Sequence, residues 1–270
     1  MNHHVKDYYC QYSDGSSKGR FHKVIPLNES PDIDWTEVYR LVPDMGRGWF
    51  ELSHLSQQDR IDFNRDFWIS KLPYHPKMQE FLTHFFDSLD NIVVFLVQKK
   101  FDDPYEAHLV YSLKDNEGFY KGQPGISEEG MVKLQSEFSD VIFPQDYIAF
   151  LQIHNGFCKT VDCTGITRST RMRENYKRFQ EPLTDSEVSV IGVKDRIVNP
   201  KSLIPFYESF GMPFYQCFWG EWYPENEMGN VYFSSSTKTI SDVKAKDPGS
   251  EMMAFPTFLD WLMFYLETVR

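Results

Sequence analysis

The chain predicts an α+β fold, an antiparallel or mixed sheet flanked by helices. Three observations carry this. Met78, Phe81, Leu82, Phe85, Phe86 and Leu89 recur at i, i+3, i+4, i+7, i+8 and i+11, the stripe of an amphipathic helix. Tyr105, Ala107, Leu109, Tyr111 and Leu113 alternate with more polar neighbours, which is the period of a strand. Helical patterns also cluster before and after a run of short strand candidates instead of alternating with them, which argues against a parallel α/β sheet. No self-similarity at a period of about 20–50 residues is present, which argues against a repeat architecture.

Taken in order, residues 1–30 are polar and turn-rich (Ser13-Asp14-Gly15-Ser16-Ser17-Lys18-Gly19-Arg20) and are expected to be mobile. Asp34 to Leu41 reads as a short helix and Pro43-Asp44-Met45-Gly46 as a turn. Ser56 caps a helix reaching about Lys71, with Ile61, Phe67, Trp68 and Leu72 as its buried stripe; Leu72-Pro73 stops it. The next helix starts at Pro76 and carries the stripe described above. Ile92–Gln98 is a strand buried on both faces. Asp102-Asp103-Pro104 turns the chain into Tyr105–Leu113, completing an antiparallel hairpin with one wetter face. No periodic pattern crosses Lys121-Gly122-Gln123-Pro124-Gly125. The expected division is therefore an N-terminal extension over 1–125 (mobile 1–30, two helices, a β-hairpin) packed on a main body over 126–270.

The second segment opens with two short helices. Ser127 is an N-cap, Glu128 and Glu129 place negative charge on the first turn, and Ile126 and Met131 sit at hydrophobic-staple positions. Pro144 has the preset φ of a first helical residue, and Tyr147, Phe150, Leu151 and His154 share one face. Asn155-Gly156 supplies a left-handed exit. Strand candidates follow at 188–193, 202–207, 214–219, 230–234 and 239–243, and an amphipathic helix from Pro256 closes the chain. Phe150 and Leu151 are expected to share one core with Phe258, Leu259 and Leu262.

The ordered set of a helix, Phe143-Pro144, an aromatic helix, Asn155-Gly156, Ser202-Leu203-Ile204-Pro205-Phe206, Met228-Gly229-Asn230-Val231-Tyr232-Phe233 and Phe255–Leu262 resembles the SUKH superfamily, over roughly residues 126–269. Phe143 stands where leucine is usual before the proline, Phe157 replaces the glycine that often follows Asn-Gly, and the insert from Lys159 to Ser189 is long. The superfamily holds a fungal Smi/Knr-type cell-wall synthesis regulator and many bacterial immunity proteins that neutralise secreted toxins. The resemblance implies a SUKH-like domain that binds proteins and is not an enzyme. Immunity-type occlusion of a protein toxin or effector, commonly a nuclease, is the leading implication. A regulatory scaffold that organises signalling partners is the alternative, and an enzyme with an unrecognised pocket stands last.

Composition bounds the partners. The chain has 270 residues, 28 basic and 39 acidic, for a net charge of −11. The halves carry −5 (14 basic, 19 acidic in 1–125) and −6 (14 basic, 20 acidic in 126–270), so the acidity is spread and is not a tail. Such a field repels phosphate backbones, which argues against general nucleic-acid binding and favours a basic protein partner. Solubility is the plainer reading of the same charge. Four cysteines in a chain of this length form no dense disulfide framework, which suits a reducing compartment. The N-terminal stretch lacks the apolar core of a signal peptide, and Ile92–Val97 is far too short to span a membrane. A cytoplasmic protein without membrane contact is expected.

Three constellations compete for a role. His154, Cys158, Cys163 and Cys217 could form a one-His, three-Cys zinc site, but no Cys-x₂-Cys knuckle is present and His154 falls on the apolar helix face. A protein without metal or cofactor is the expectation. The basic run from Arg168 to Arg178 could grip a phosphate, a carboxylate-rich partner or RNA, or it could be a solvated helix face balancing acids of its own domain. Phe214 to Glu227 crowds large aromatics beside acids that one strand cannot bury. Trp222 and Tyr223, with Glu221, Glu225 and Glu227, are the expected partner-binding residues: aromatic anchors ringed by carboxylates that suit a basic ligand. A lid over core aromatics is the alternative. No nucleophile elbow, phosphate-cradling glycine loop, His-Glu-x-x-His or dinucleotide fingerprint occurs, and no catalytic residue is expected.

Overall fold

Local capping chemistry sets several helix starts in the computed structural model, which describes residues 3–9, 20–114, 118–160, 162, 165–184, 189–192, 196–209, 214–221, 228–241 and 254–267. The fold is α+β with a mixed sheet, carrying an N-terminal extension that contains the two helices and the hairpin. The chain divides into two compact units: Met1–Gly125 with Gln152–Thr160 and Val269–Arg270, and Ile126–Leu151 with Val161–Thr268.

The first unit contains α1 (His3–Tyr9), β1 (Lys23–Pro26), α2 (Trp35–Leu41), α3 (Arg47–Ser53), α4 (Gln57–Lys71), α5 (Met78–Asp87), β2 (Leu89–Gln98), β3 (Tyr105–Leu113), β4 (Phe119–Gly122) and β5 (Phe157–Lys159). Asp34 accepts from the Glu37 N–H and Ser56 from the Asp59 N–H, so each satisfies an orphan donor at its helix start. The strands run antiparallel in the order β1-β2-β3-β4-β5. On α5, Met78, Leu82, Phe85 and Phe86 are buried as the periodicity requires. On α4, Ile61 and Trp68 are buried, while Phe67 is only half-buried, a correction to the expected stripe.

Two further expectations for this unit are corrected. The described parts of residues 1–30 are not loose: α1 buries Val5 and Tyr9 completely, and β1 pairs with β2. The hairpin also has no wet face, since His108, Val110 and Ser112 of β3 are all buried. One cause accounts for both. Val5, Tyr9 and Phe21 pack with Val93, Phe95, Val97, Val110 and Phe119, and Tyr9 stacks on Phe95 at 4.1 Å. Full burial of side chains of this size contributes about 1.5–3 kcal/mol each, enough to hold a short helix that has little propensity to form alone. The Tyr9 hydroxyl meets His108 Nδ1 at 3.0 Å, so the polar tip is satisfied too.

The second unit contains α6 (Glu128–Glu137), most of α7 (Gln145–Ile153), β6 (Gly165–Ile166), α8 (Ser169–Thr184), β7 (Val190–Ile191), β8 (Ile197–Val198), β9 (Leu203–Glu208), β10 (Phe214–Trp219), β11 (Asn230–Ser234), β12 (Thr239–Ile240) and α9 (Phe258–Glu267). Ser127 accepts from the Gly130 N–H at 3.1 Å, as its N-cap position requires. The strand order is β6-β9-β10-β11-β12-β7-β8; the β12–β7 pair is parallel and the others antiparallel. α8 occupies much of the long insert and passes through Pro182 in its last turn.

Phe150, Leu151, Phe258, Leu259 and Leu262 are all buried, and the Phe150 and Phe258 rings lie 5.3 Å apart, so these helix faces do share a core. A polar contact reinforces it. The Asp146 carboxylate in the first turn of α7 accepts from the Leu259 N–H at 3.0 Å and also caps Phe258, satisfying free donors at the start of α9. Burial pushes the pKa of this carboxyl up, and the backbone donors partly offset that shift.

Candidate partner-binding surface

The favoured surface begins where β10 ends, and the alternation of that strand decides which rings are left over. Cys217 and Trp219 enter a core with Leu203, Val231, Phe233, Phe179 and Leu183. Phe218 points the other way, stacking on Phe206 at 4.3 Å and meeting Tyr147 at 4.9 Å. Both faces of the strand's second half are therefore packed, and Phe218 and Trp219 are core residues. Gln216 is buried as well, donating to Asn230 Oδ1 at 2.7 Å; Asn230 donates in turn to the Thr257 carbonyl at 3.0 Å.

Past Trp219 the chain reaches the surface. Gly220 and Glu221 are exposed, and the Gly220 N–H is held by the Ser202 carbonyl at 2.8 Å. Trp222, Tyr223, Glu225 and Glu227 lie outside the described residues. Of the five expected partner-binding residues, Glu221 is thus placed, as an exposed carboxylate directly after a fixed strand end.

The basic run forms the outer side of α8, and much of its charge is matched nearby. Arg178 pairs with Glu208 at 2.5 Å and Arg171 with Glu174 at 3.8 Å. The Arg173 guanidinium lies 5.4 Å from the Phe138 ring centre and 5.6 Å from that of Tyr176. Arg171 and Arg178 are thus balanced by acids of their own unit, and Arg173 lies over aromatic rings.

The histidine of the zinc constellation has other work. His154 is fully buried, and its Nδ1–H donates to the Gln123 carbonyl at 3.0 Å. That leaves Nε2 to accept from the Tyr111 hydroxyl at 2.7 Å, and Tyr111 accepts from the Trp68 indole N–H at 3.2 Å. The carbonyl at one end and the indole donor at the other give this chain one direction, and both imidazole nitrogens are occupied within it. Burial lowers the His154 pKa to about 4, so the ring is neutral, and burial pushes the Tyr111 phenol well above its usual range. Cys163 lies outside the described residues. Among the described residues no three His, Cys, Asp or Glu side chains gather closely enough to hold a metal ion. Nor is any described helix long and apolar enough to cross a membrane.

Sequence reasoning placed His154 on an apolar face but did not find its partners Trp68, Tyr111 and Gln123, which lie far away in the chain. The one local clue was Gly122: a Cβ there would stand 2.2 Å from His154 Nδ1, so only glycine lets β4 approach the ring. The Asn155-Gly156 exit is present with Gly156 at φ +108°, and the Asn155 N–H is held by the Pro124 carbonyl at 3.2 Å.

A SUKH-type α+β domain with its Asn-Gly turn and its two core helices defines the class. Residues 125–263 match the SMI1 / KNR4 family (SUKH-1), and the chain belongs to that family. No curated protein matches the chain closely enough to count as a relative.

Proposed function

We propose that this chain is a non-enzymatic, cytoplasmic protein-binding domain that neutralises a protein toxin or effector by occluding it. Membership of a family generally without enzymatic activity supports the binding role. The observation that carries the proposed surface is the end of β10. Buried Phe218 and Trp219 anchor the strand, and exposed Glu221 leads straight into Trp222, Tyr223, Glu225 and Glu227. In a chain of net charge −11 those carboxylates steer a basic partner, and an aromatic anchor among them supplies the desolvated centre of the contact.

The test is capture of the partner from the native host with the full chain, followed by kinetics on the purified pair. Trp222→Ala is expected to raise the dissociation rate, with a loss of about 2 kcal/mol or more if the ring is a hot spot. Reversing charge at Glu225 and Glu227 is expected chiefly to slow association and flatten its salt dependence. A toxic partner whose activity the chain abolishes supports immunity. Several non-toxic signalling partners would point instead to the scaffold role, and unchanged kinetics in all three variants would place the interface elsewhere.

A further inference from the structure

A surface helix ordinarily turns its apolar side inward and its polar side to water. α4 does not. Ile61, Asn64 and Trp68 face the core, yet Phe63 on the other side is 53% exposed, and its ring lies parallel to that of half-buried Phe67 with centres 6.4 Å apart. Asp59, Phe63, Phe67 and Lys71 follow one another at intervals of four residues, a continuous i±4 ridge rising about 6 Å per step.

The ridge has a two-fold pattern. Asp59 and Phe63 stand as far before Arg65 as Lys71 and Phe67 stand after it. The flanking acids Asp62 and Asp66 are already paired with Arg65, at 2.9 and 3.2 Å. Among the described residues the Asp59 carboxylate only accepts from the Ser56 hydroxyl, and Lys71 has only a contact over the Phe67 ring at 5.8 Å; neither has an ion-pair partner.

We infer that α4 docks on α4 of a second copy of this chain, antiparallel about a two-fold axis near Arg65. Phe63 of each copy then meets Phe67 of the other, and Asp59 of each meets Lys71 of the other at both ends. Two i±4 ridges interleave in the commonest helix-packing class, which lets them run alongside each other. A residue set that complements itself under a two-fold rotation is what an isologous dimer requires. One ridge covers less than the roughly 1,000 Å² of a firm interface, so the dimer is weak, with a Kd on the order of 100 μM. The helix lies outside residues 125–263, and this inference stands apart from the proposed partner surface.

The test is sedimentation velocity on the full chain from about 5 to about 500 μM. Reversible dimerisation is expected in the wild type and its loss in Phe63→Asp. Asp59→Lys alone and Lys71→Asp alone should each weaken self-association about tenfold, since like charges then meet at both ends. An equimolar mixture of those two variants should dimerise again. In the mixed pair the two introduced side chains face each other with opposite charge at one end, and the native Asp59 faces the native Lys71 at the other. Circular dichroism checks that every variant is folded, and the mixture separates lost attraction from lost fold. A wild type that is monomeric throughout, a dimer indifferent to these charges, or a mixture that fails to recover overturns the inference.

Discussion

Protonating His154 is expected to destabilise the first unit, and the size of the effect follows from its surroundings. The ring is neutral in the folded chain, with a pKa near 4, against 6.5 when it is exposed by unfolding. Between those values the unfolded chain binds a proton that the folded chain refuses. Stability therefore falls as pH drops from 6.5 toward 4 and levels off below. The full span corresponds to about 3 kcal/mol, of which about 2 kcal/mol is already lost at about pH 5. His154→Gln removes the titration while leaving an acceptor for Tyr111 and a donor for Gln123. Urea unfolding of both proteins from about pH 7.5 down to about pH 5 is the assay, and the gap between them is the readout, because carboxylate effects common to both cancel. The wild type should lose about 2 kcal/mol of its advantage across that range. A constant gap would refute the argument, as would an imidazole NMR shift that titrates near 6.5 in the folded protein.

Other outcomes can be checked with the same unfolding assay. Phe150→Ala and Leu262→Ala should each cost about 2–5 kcal/mol, since both side chains are fully buried and would leave cavities between α7 and α9. Asp146→Ala should cost about 1–2 kcal/mol by stranding the first N–H groups of α9, and the circular dichroism of folded protein should change little. Gly125→Ala would set a Cβ 2.1 Å from the Gln152 carbonyl oxygen, a backbone atom that cannot swing aside; a folding defect larger than that of Gly46→Ala, whose Cβ would meet nothing within 4 Å, is the expected result.

Elements whose information is local were legible in the sequence. α5 is written in its apolar period, α4 and α6 in their Ser56 and Ser127 caps, and the α7 and α9 core faces in rings spaced three and four apart. What escaped depends on contacts between distant segments. The seven residues of α1 show no apolar stripe of useful length, and Tyr9 is secured by Phe95 and His108, both more than eighty residues on. β4 has no signature of its own, because Phe119–Gly122 is short and runs into the patternless boundary at 121–125; its two strand neighbours, β3 and β5, make it a strand. In the favoured surface, alternation along β10 implies that part of the aromatic set is buried without saying which rings, and the structure buries Phe218 and Trp219 on opposite faces of the strand. It carries no information on the course of the chain beyond Glu221, where no repeating pattern exists.

The pairing of β5 with β4 bears on how the chain is made. The first unit is not finished at Gly125: it takes in Gln152–Thr160. Until a ribosome has delivered that stretch, Tyr120, Lys121 and Gly122 present an open strand edge, and the Tyr111 hydroxyl lacks its imidazole acceptor. The nascent N-terminal portion must therefore wait, partly built, for residues that come after the helices α6 and α7. A gene fragment ending at Gly125 would freeze the molecule at that stage, with a sticky sheet edge and an unsatisfied polar group in its interior. Any attempt to separate the two portions has to cut so that Gln152–Thr160 remains with the N-terminal one.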